Sequence, residues 1–127
     1  MILGIGSDLC PPARWRHLVD RFGEKPIHRM LHPEEAAYLL KGNPGRLAER
    51  LAGRWALREA FGKALGVGLD GWTWRELRYR NGRLWAEGAL AEQLRVRGVQ
   101  RLHGTVTHDG GLALAFVVLE GEPPVSF

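Results

Sequence analysis

The chain has 127 residues, 45% of them hydrophobic and 25% charged, with a formal net charge of +4. That balance excludes a disordered chain, and no apolar run approaches the roughly 20 residues of a membrane-spanning helix. Cys10 is the only cysteine, which excludes a disulfide framework and a cysteine-built zinc site and fits a reducing cytoplasm.

The length suits one domain over residues 1–127, and no linker, repeat or low-complexity tract divides it. Met1 to Gly6 lacks the basic region and long apolar core of a signal peptide. Residues 2–7 predict a buried strand ending at Asp8. Pro11-Pro12 can start a helix, and Trp15, Leu18, Val19 and Phe22 give it an apolar side over about 12–22. Its other side carries Arg14, His17 and Arg21. A second helix opens at Pro33-Glu34-Glu35, with acids where the helix dipole favours them, and stops near Gly42-Asn43-Pro44-Gly45. The strongest helical segment is 46–65, closed by Gly66 and Gly68. Trp72 to Arg80 alternates like a strand, and Asn81-Gly82 turns it back through Leu84-Trp85-Ala86. A short helix over about 89–97 follows. Two strands, 103–108 and 112–119, meet at Asp109-Gly110-Gly111. One strand, three helices, a hairpin, a helix and a hairpin make an α+β fold.

Several residues are candidates for chemistry. Of the 18 Lys and Arg residues, only Lys25, Lys41 and Lys63 are lysines. The rest are arginines, planar bidentate binders of phosphate and carboxylate, although a GC-rich genome gives the same bias. On the long helix Ala52, Ala56, Glu59 and Lys63 share a side. Small residues there admit another backbone or a ligand, and Glu59 with Lys63 reads equally as a solvated i,i+4 pair. Arg50, Arg54 and Arg58 follow the same spacing and either solvate the helix or line an anion site. Asp8 at the strand tip is a cap for the next helix or a hard-cation ligand. His108, beside Thr105, Thr107 and Asp109, is a phosphate donor, a general base or a turn histidine. Ser7, His108 and Asp109 lack the nucleophile elbow of a hydrolase, and no P-loop occurs. Gly4 and Gly6 lack a third glycine at dinucleotide spacing, so they read as packing residues.

Taken together, these segments resemble the holo-acyl-carrier-protein synthases, the small bacterial class of 4′-phosphopantetheinyl transferase. Gly4-Ile5-Gly6-Ser7-Asp8-Leu9 is similar to that family's G-I-G-[TV]-D-[IL] opening, with Arg14 at the place of its following arginine. Leu31 to Glu35 resembles L-T-x-x-E. Arg54 to Gly66 resembles R-F-A-x-K-E-A-x-x-K-A-L-G. Thr105 to Asp109 resembles S-x-S-H-[DT], followed by the A-x-A-F-V-V strand in Ala113 to Val118. The departures are His32 for Thr, Arg58 for Lys, Val67 for Thr, Leu84 for Pro in G-K-P, and threonines 105 and 107 for serines.

The resemblance implies a small antiparallel-rich sheet wrapped by a long central helix, and a homotrimer with active sites between subunits. It implies transfer of the phosphopantetheine arm of coenzyme A to a serine of apo acyl carrier protein, with Mg²⁺ and release of adenosine 3′,5′-bisphosphate. Asp8 and Glu59 then hold the metal. Glu59, Lys63 and His108 are catalytic, and Arg54, Lys63, Gly66 and His108 bind the coenzyme. The base that takes the serine proton stays open among His108, Glu59 and a metal-bound water. Arg14, His17 and Arg21 meet the acidic carrier. Two other readings compete. A basic nucleic-acid-binding domain explains the charge, but no such motif is present, and nucleic acid and membrane are not expected partners. A non-catalytic coenzyme A-binding protein would not need both Asp8 and Glu59.

Overall fold

The N-terminal apolar run forms β1 (Ile2–Cys10), longer than predicted and passing through Asp8 rather than ending there. The computed structural model describes residues 1–66 and 71–124. The Val67 departure and the Gly68 breaker lie outside the described residues. β1 belongs to a three-stranded antiparallel sheet of order β1-β5-β4, with β4 spanning Val99–Asp109 and β5 Leu112–Gly121. Asp8 pairs with Ala115, which pairs with Val106; Cys10 pairs with Ala113, which pairs with His108. Side chains alternate across a strand. Gly4, Gly6, Asp8 and Cys10 therefore share one face with Ala113, Ala115, Val106 and His108, while Ile5, Ser7, Leu9 and Phe116 share the other.

The long helix, α4 (Leu47–Leu65), covers the first face. Ala52, Ala56, Ala60 and Ala64 are buried along it, an i,i+4 row of methyls that lets a backbone come close. Gly4 and Gly6 are the answering surface: a Cβ on Gly6 would collide with the Ala60 carbonyl oxygen, and one on Gly4 with that of Ala64. The small-residue stripe thus admits β1 itself. On the other face of the sheet, Ile5 is 64%, Leu9 53% and Phe116 45% exposed. The expectation of a buried strand holds for one side of β1 only.

Helix α1 (Pro12–Phe22) matches its prediction, but its N-cap is Pro11 and no side chain caps it. Asp8 is therefore not a helix cap. A helix that the sequence reading lacked, α2 (Lys25–Met30), follows. Pro26 looks like a breaker, yet it sits in the first turn, where its missing N–H costs nothing. Ile27 and Met30 bury its inner side. Helix α3 (Pro33–Leu40) starts where the His32 ring accepts a hydrogen bond from the Glu34 N–H at 3.1 Å.

The predicted strand over 72–80 is half right. Trp74–Glu76 is a 3₁₀ turn closed by a Thr73/Glu76 capping box, and only β2 (Leu77–Arg80) is extended. The indoles of 72 and 74 explain this, since both turn into one cluster. Phe61 meets Trp72, Trp72 meets Trp74, Trp74 meets Trp55 and Trp55 meets Trp15, edge to face at 5.2–6.3 Å. Asn81 and Gly82, at φ 51° and 75°, turn β2 into β3 (Arg83–Ala86). Helix α5 (Gly88–Val96) then leads to β4.

Candidate active site

β1 and the last two turns of α4 bring Asp8, Glu59 and Lys63 together. The Lys63 ammonium lies 3.1 Å from Asp8 Oδ1 and donates to the Ser7 carbonyl at 3.0 Å. The solvated Glu59–Lys63 pair is therefore not what forms. Lys63 turns away from its own helix toward the strand. Glu59, one turn earlier and half-buried, makes no hydrogen bond or ion pair among the described residues. Asp8 shares its sheet face with Cys10, and Glu59 is near enough for its charge to act on the thiol. Burial raises the pKa of that thiol, the nearby Arg14 opposes this, and the charges of Asp8 and Glu59 raise it further.

Trp55, one turn before Glu59, opens an apolar cleft of about 300 Å³ walled by Trp15, Leu18, Met30 and Trp74, with Arg14 and Arg29 in its lining. Arg14, His17 and Arg21 are all exposed on α1, and the Arg21 guanidinium lies over the Phe22 ring at 5.3 Å. Gly66 ends α4 in the left-handed conformation at φ 80°. His108 is elsewhere. It stands two strands from β1, its ring beside Gly53 of α4. It lines a second cleft of about 300 Å³ with Pro12, Glu49, Asp109 and Leu112. Within one chain it does not join the Asp8–Lys63 pair.

The arginine row does not line one site. Arg58 is fully buried and donates to three carbonyl oxygens, those of Arg54, Trp74 and Leu77, at 3.1, 3.4 and 2.7 Å. Burial pulls its pKa down to about 10 despite the neighbouring Glu35. The guanidinium pins the 3₁₀ turn and β2 to α4. Arg54 lies on that same side, 4.0 Å from Glu35 and stacked on Tyr79 at 5.2 Å, so it is not brought to Lys63. Burial lowers its pKa too, against the pull of Glu35.

Glu35, read from sequence as a first-turn acid, is instead the hub of this cluster. It is 3% exposed and accepts the Tyr79 N–H at 2.7 Å. Arg78 is 3.4 Å and Arg58 3.7 Å from its carboxylate. The spacing held the clue: Leu31, Glu35 and Leu39 recur every four residues, which puts Glu35 on the apolar side.

Among the described residues, no group of three or more His, Cys, Asp or Glu side chains is arranged to hold a metal ion. Two carboxylates from different elements still suit Mg²⁺, which takes one or two such ligands and completes its shell with phosphate and water oxygens. Glu59, without a partner among the described residues, and Asp8, paired there only with the largely exposed Lys63, fit that demand. Among the described residues, no helix is long and apolar enough to cross a membrane.

Comparison with known proteins bears on the family and the fold. Residues 4–117 match the model of the 4′-phosphopantetheinyl transferase superfamily. The holo-[acyl-carrier-protein] synthase of Anaeromyxobacter dehalogenans (strain 2CP-C) is 39% identical over 131 residues, spanning 98% of this chain and all of that one. The crystal structure of the Neisseria meningitidis holo-[acyl-carrier-protein] synthase superposes with a TM-score of 0.83 at 32% identity, covering 94% of this chain and 99% of the other. That of the Bacillus anthracis synthase in complex with CoA (3′,5′-ADP) gives 0.75 at 28% identity, covering 96% and 99%. With its sequence motifs and its sheet-on-helix architecture both matched, the chain belongs to the 4′-phosphopantetheinyl transferase superfamily.

Proposed function

We infer that the chain is a holo-[acyl-carrier-protein] synthase, moving the 4′-phosphopantetheine arm of coenzyme A onto a serine of apo acyl carrier protein. The observation that carries the reading is the contact of Lys63 with Asp8 at 3.1 Å, which brings a cation of α4 onto the carboxylate of β1, one helical turn from Glu59. The serine oxygen forms a bond to the phosphorus bearing the pantetheine arm. The bond from that phosphorus to the bridging oxygen breaks, the serine loses its proton, and adenosine 3′,5′-bisphosphate leaves. Such a transfer needs little covalent help from protein and much positioning and charge neutralisation. Asp8 and Glu59 would hold a divalent ion, which when bound supplies positive charge to the pyrophosphate oxygens. Lys63 would add a point charge beside the same oxygens, and the backbone at Gly66 would border the coenzyme. Incubating the protein with coenzyme A, Mg²⁺ and an apo carrier, then weighing the carrier by mass spectrometry, tests the reading. A carrier that stays unmodified overturns it.

Three copies packed through the exposed sheet face would complete the site. Ile5, Leu9 and Phe116 form an apolar surface of the kind that marks an interface, and His108 would serve the coenzyme site of a neighbouring copy. Phe116→Glu should therefore shift the mass seen by light scattering to that of a monomer and lower transfer at least tenfold. A variant that stays oligomeric and fully active would remove this face from the assembly.

The carrier is acidic, and Arg14, His17 and Arg21 present positive charge beside the apolar cleft. Complementary charge acts mainly on encounter and orientation. The double variant Arg14→Glu/Arg21→Glu should raise the KM for carrier about tenfold or more and leave the KM for coenzyme A unchanged. Added salt should weaken the native enzyme in the same direction, since exposed charges are screened over about 8–10 Å. An equal rise in both constants would instead place these arginines on the coenzyme.

A further inference from the structure

Lys63 is 59% exposed in its side chain, yet its ammonium is held on β1 by the Ser7 carbonyl and Asp8 Oδ1. Glu59, one turn away, has no partner among the described residues. A dication bound by Asp8 would have this ammonium as its immediate neighbour, and two cations at such range repel. We propose that Lys63 is a displaceable counter-ion of Asp8. In the coenzyme-free protein it occupies the carboxylate that the divalent ion needs, and it moves to phosphate oxygens when ion and coenzyme arrive together. The proposal rests on the reading of Asp8 and Glu59 as the metal carboxylates.

The charges favour this exchange. Two carboxylates and one ammonium leave a single negative charge, and Arg14 lies near enough to be felt at Cys10. That is a weak field for Mg²⁺, which gives up its water reluctantly. A pyrophosphate changes both sides of the balance. It brings oxygens for the ion and charged acceptors for the ammonium, and charge-assisted hydrogen bonds of that kind are the strong ones. The lysine stem is flexible and solvated, so its head can cross from strand to ligand without moving the backbone. Divalent ion and coenzyme then bind with mutual dependence, each raising the affinity for the other by the same factor.

Removing the ammonium should therefore have opposite effects on the two ligands. Mn²⁺ is the probe, counted as free ion by electron paramagnetic resonance, in native, Lys63→Met and Lys63→Gln proteins, with and without coenzyme A. The expected result is that both variants bind Mn²⁺ alone about tenfold more tightly than the native protein and coenzyme A about tenfold more weakly. The increase in Mn²⁺ affinity caused by coenzyme should shrink in both. Thermal unfolding should match the native protein, since the replaced side chain is largely solvated. Variants that bind Mn²⁺ alone no more tightly than the native protein overturn the exchange. Asp8→Asn and Glu59→Gln separate the two levels of the argument. If they weaken Mn²⁺ binding in the presence of coenzyme while the Lys63 variants leave Mn²⁺ alone unaffected, the exchange fails and the metal reading stands. If they leave it unchanged, both fail.

Discussion

Asp8→Asn and Glu59→Gln should each lower the rate of transfer by at least about a hundredfold and leave the folded protein almost as stable as before. The two effects separate because the side chains do little for the fold. Asp8 has one ion pair, with a largely solvated lysine, and such pairs contribute about 0–1 kcal/mol. Asparagine keeps an oxygen for Lys63 to reach. Glu59 makes no hydrogen bond or ion pair among the described residues, so glutamine removes none. The loss is confined to charge at the place where a phosphoryl group changes partners. Removing one fixed electrostatic contribution of that sort typically costs on the order of 10²–10³ in kcat. The measurement is kcat/KM for carrier at saturating Mg²⁺, with thermal unfolding alongside. Near-native turnover in either variant sinks its assignment as a metal ligand.

Glu35→Ala should be as damaging as truncating a large core side chain, costing about 3–5 kcal/mol of unfolding free energy. Arg58 is completely buried and Arg78 is 7% exposed. With the carboxylate gone, those guanidiniums stay in place without their central counter-charge, and the Tyr79 N–H loses its acceptor. Glu35→Gln keeps an acceptor for that N–H and should cost less. The double variant Glu35→Ala/Arg58→Leu should recover part of the loss, because it removes the stranded charge together with its partner. Urea unfolding of the three proteins gives the numbers. A Glu35→Ala protein within about 1 kcal/mol of native would mean that the cluster is no more than a solvated ion pair.

These residues mark where sequence stops being readable. An arginine every four residues looks the same whether the side faces water or a neighbouring turn, so Arg50, Arg54 and Arg58 read as one row. Only the packing of the 3₁₀ turn distinguishes Arg58, whose three acceptors are carbonyls. Lys63 was legible as a functional candidate, but its partner was not. Helical spacing points to Glu59, four residues away in sequence, whereas the strand that supplies Asp8 lies 55 residues away. His108 could be named by its motif, and no spacing rule shows that the fold sets it two strands from β1. The elements themselves were plainer. Regular apolar periodicity marked α1, the long run of helix formers closed by glycine marked α4, and Asn81-Gly82 marked its hairpin. Short pieces with proline or paired tryptophans, α2 and the turn at 74–76, were where periodicity had too few residues to speak. The Gly4 and Gly6 pair, read as packing, proved to be the contact surface for the alanines of α4.

Cys10, two residues after Asp8 on β1, belongs to the core and is 0% exposed, with its sulfur donating to the Pro11 carbonyl at 3.7 Å. Only a thiolate attacks a disulfide, and here burial, with Asp8 and Glu59, holds the proton on the sulfur against the pull of Arg14. The reaction partner ends in a thiol of its own, and oxidised coenzyme is a disulfide. A reactive sulfur within reach of such a coenzyme would be open to capture as a mixed disulfide. The protein's one sulfhydryl is instead buried and held as the thiol, which guards it against that exchange.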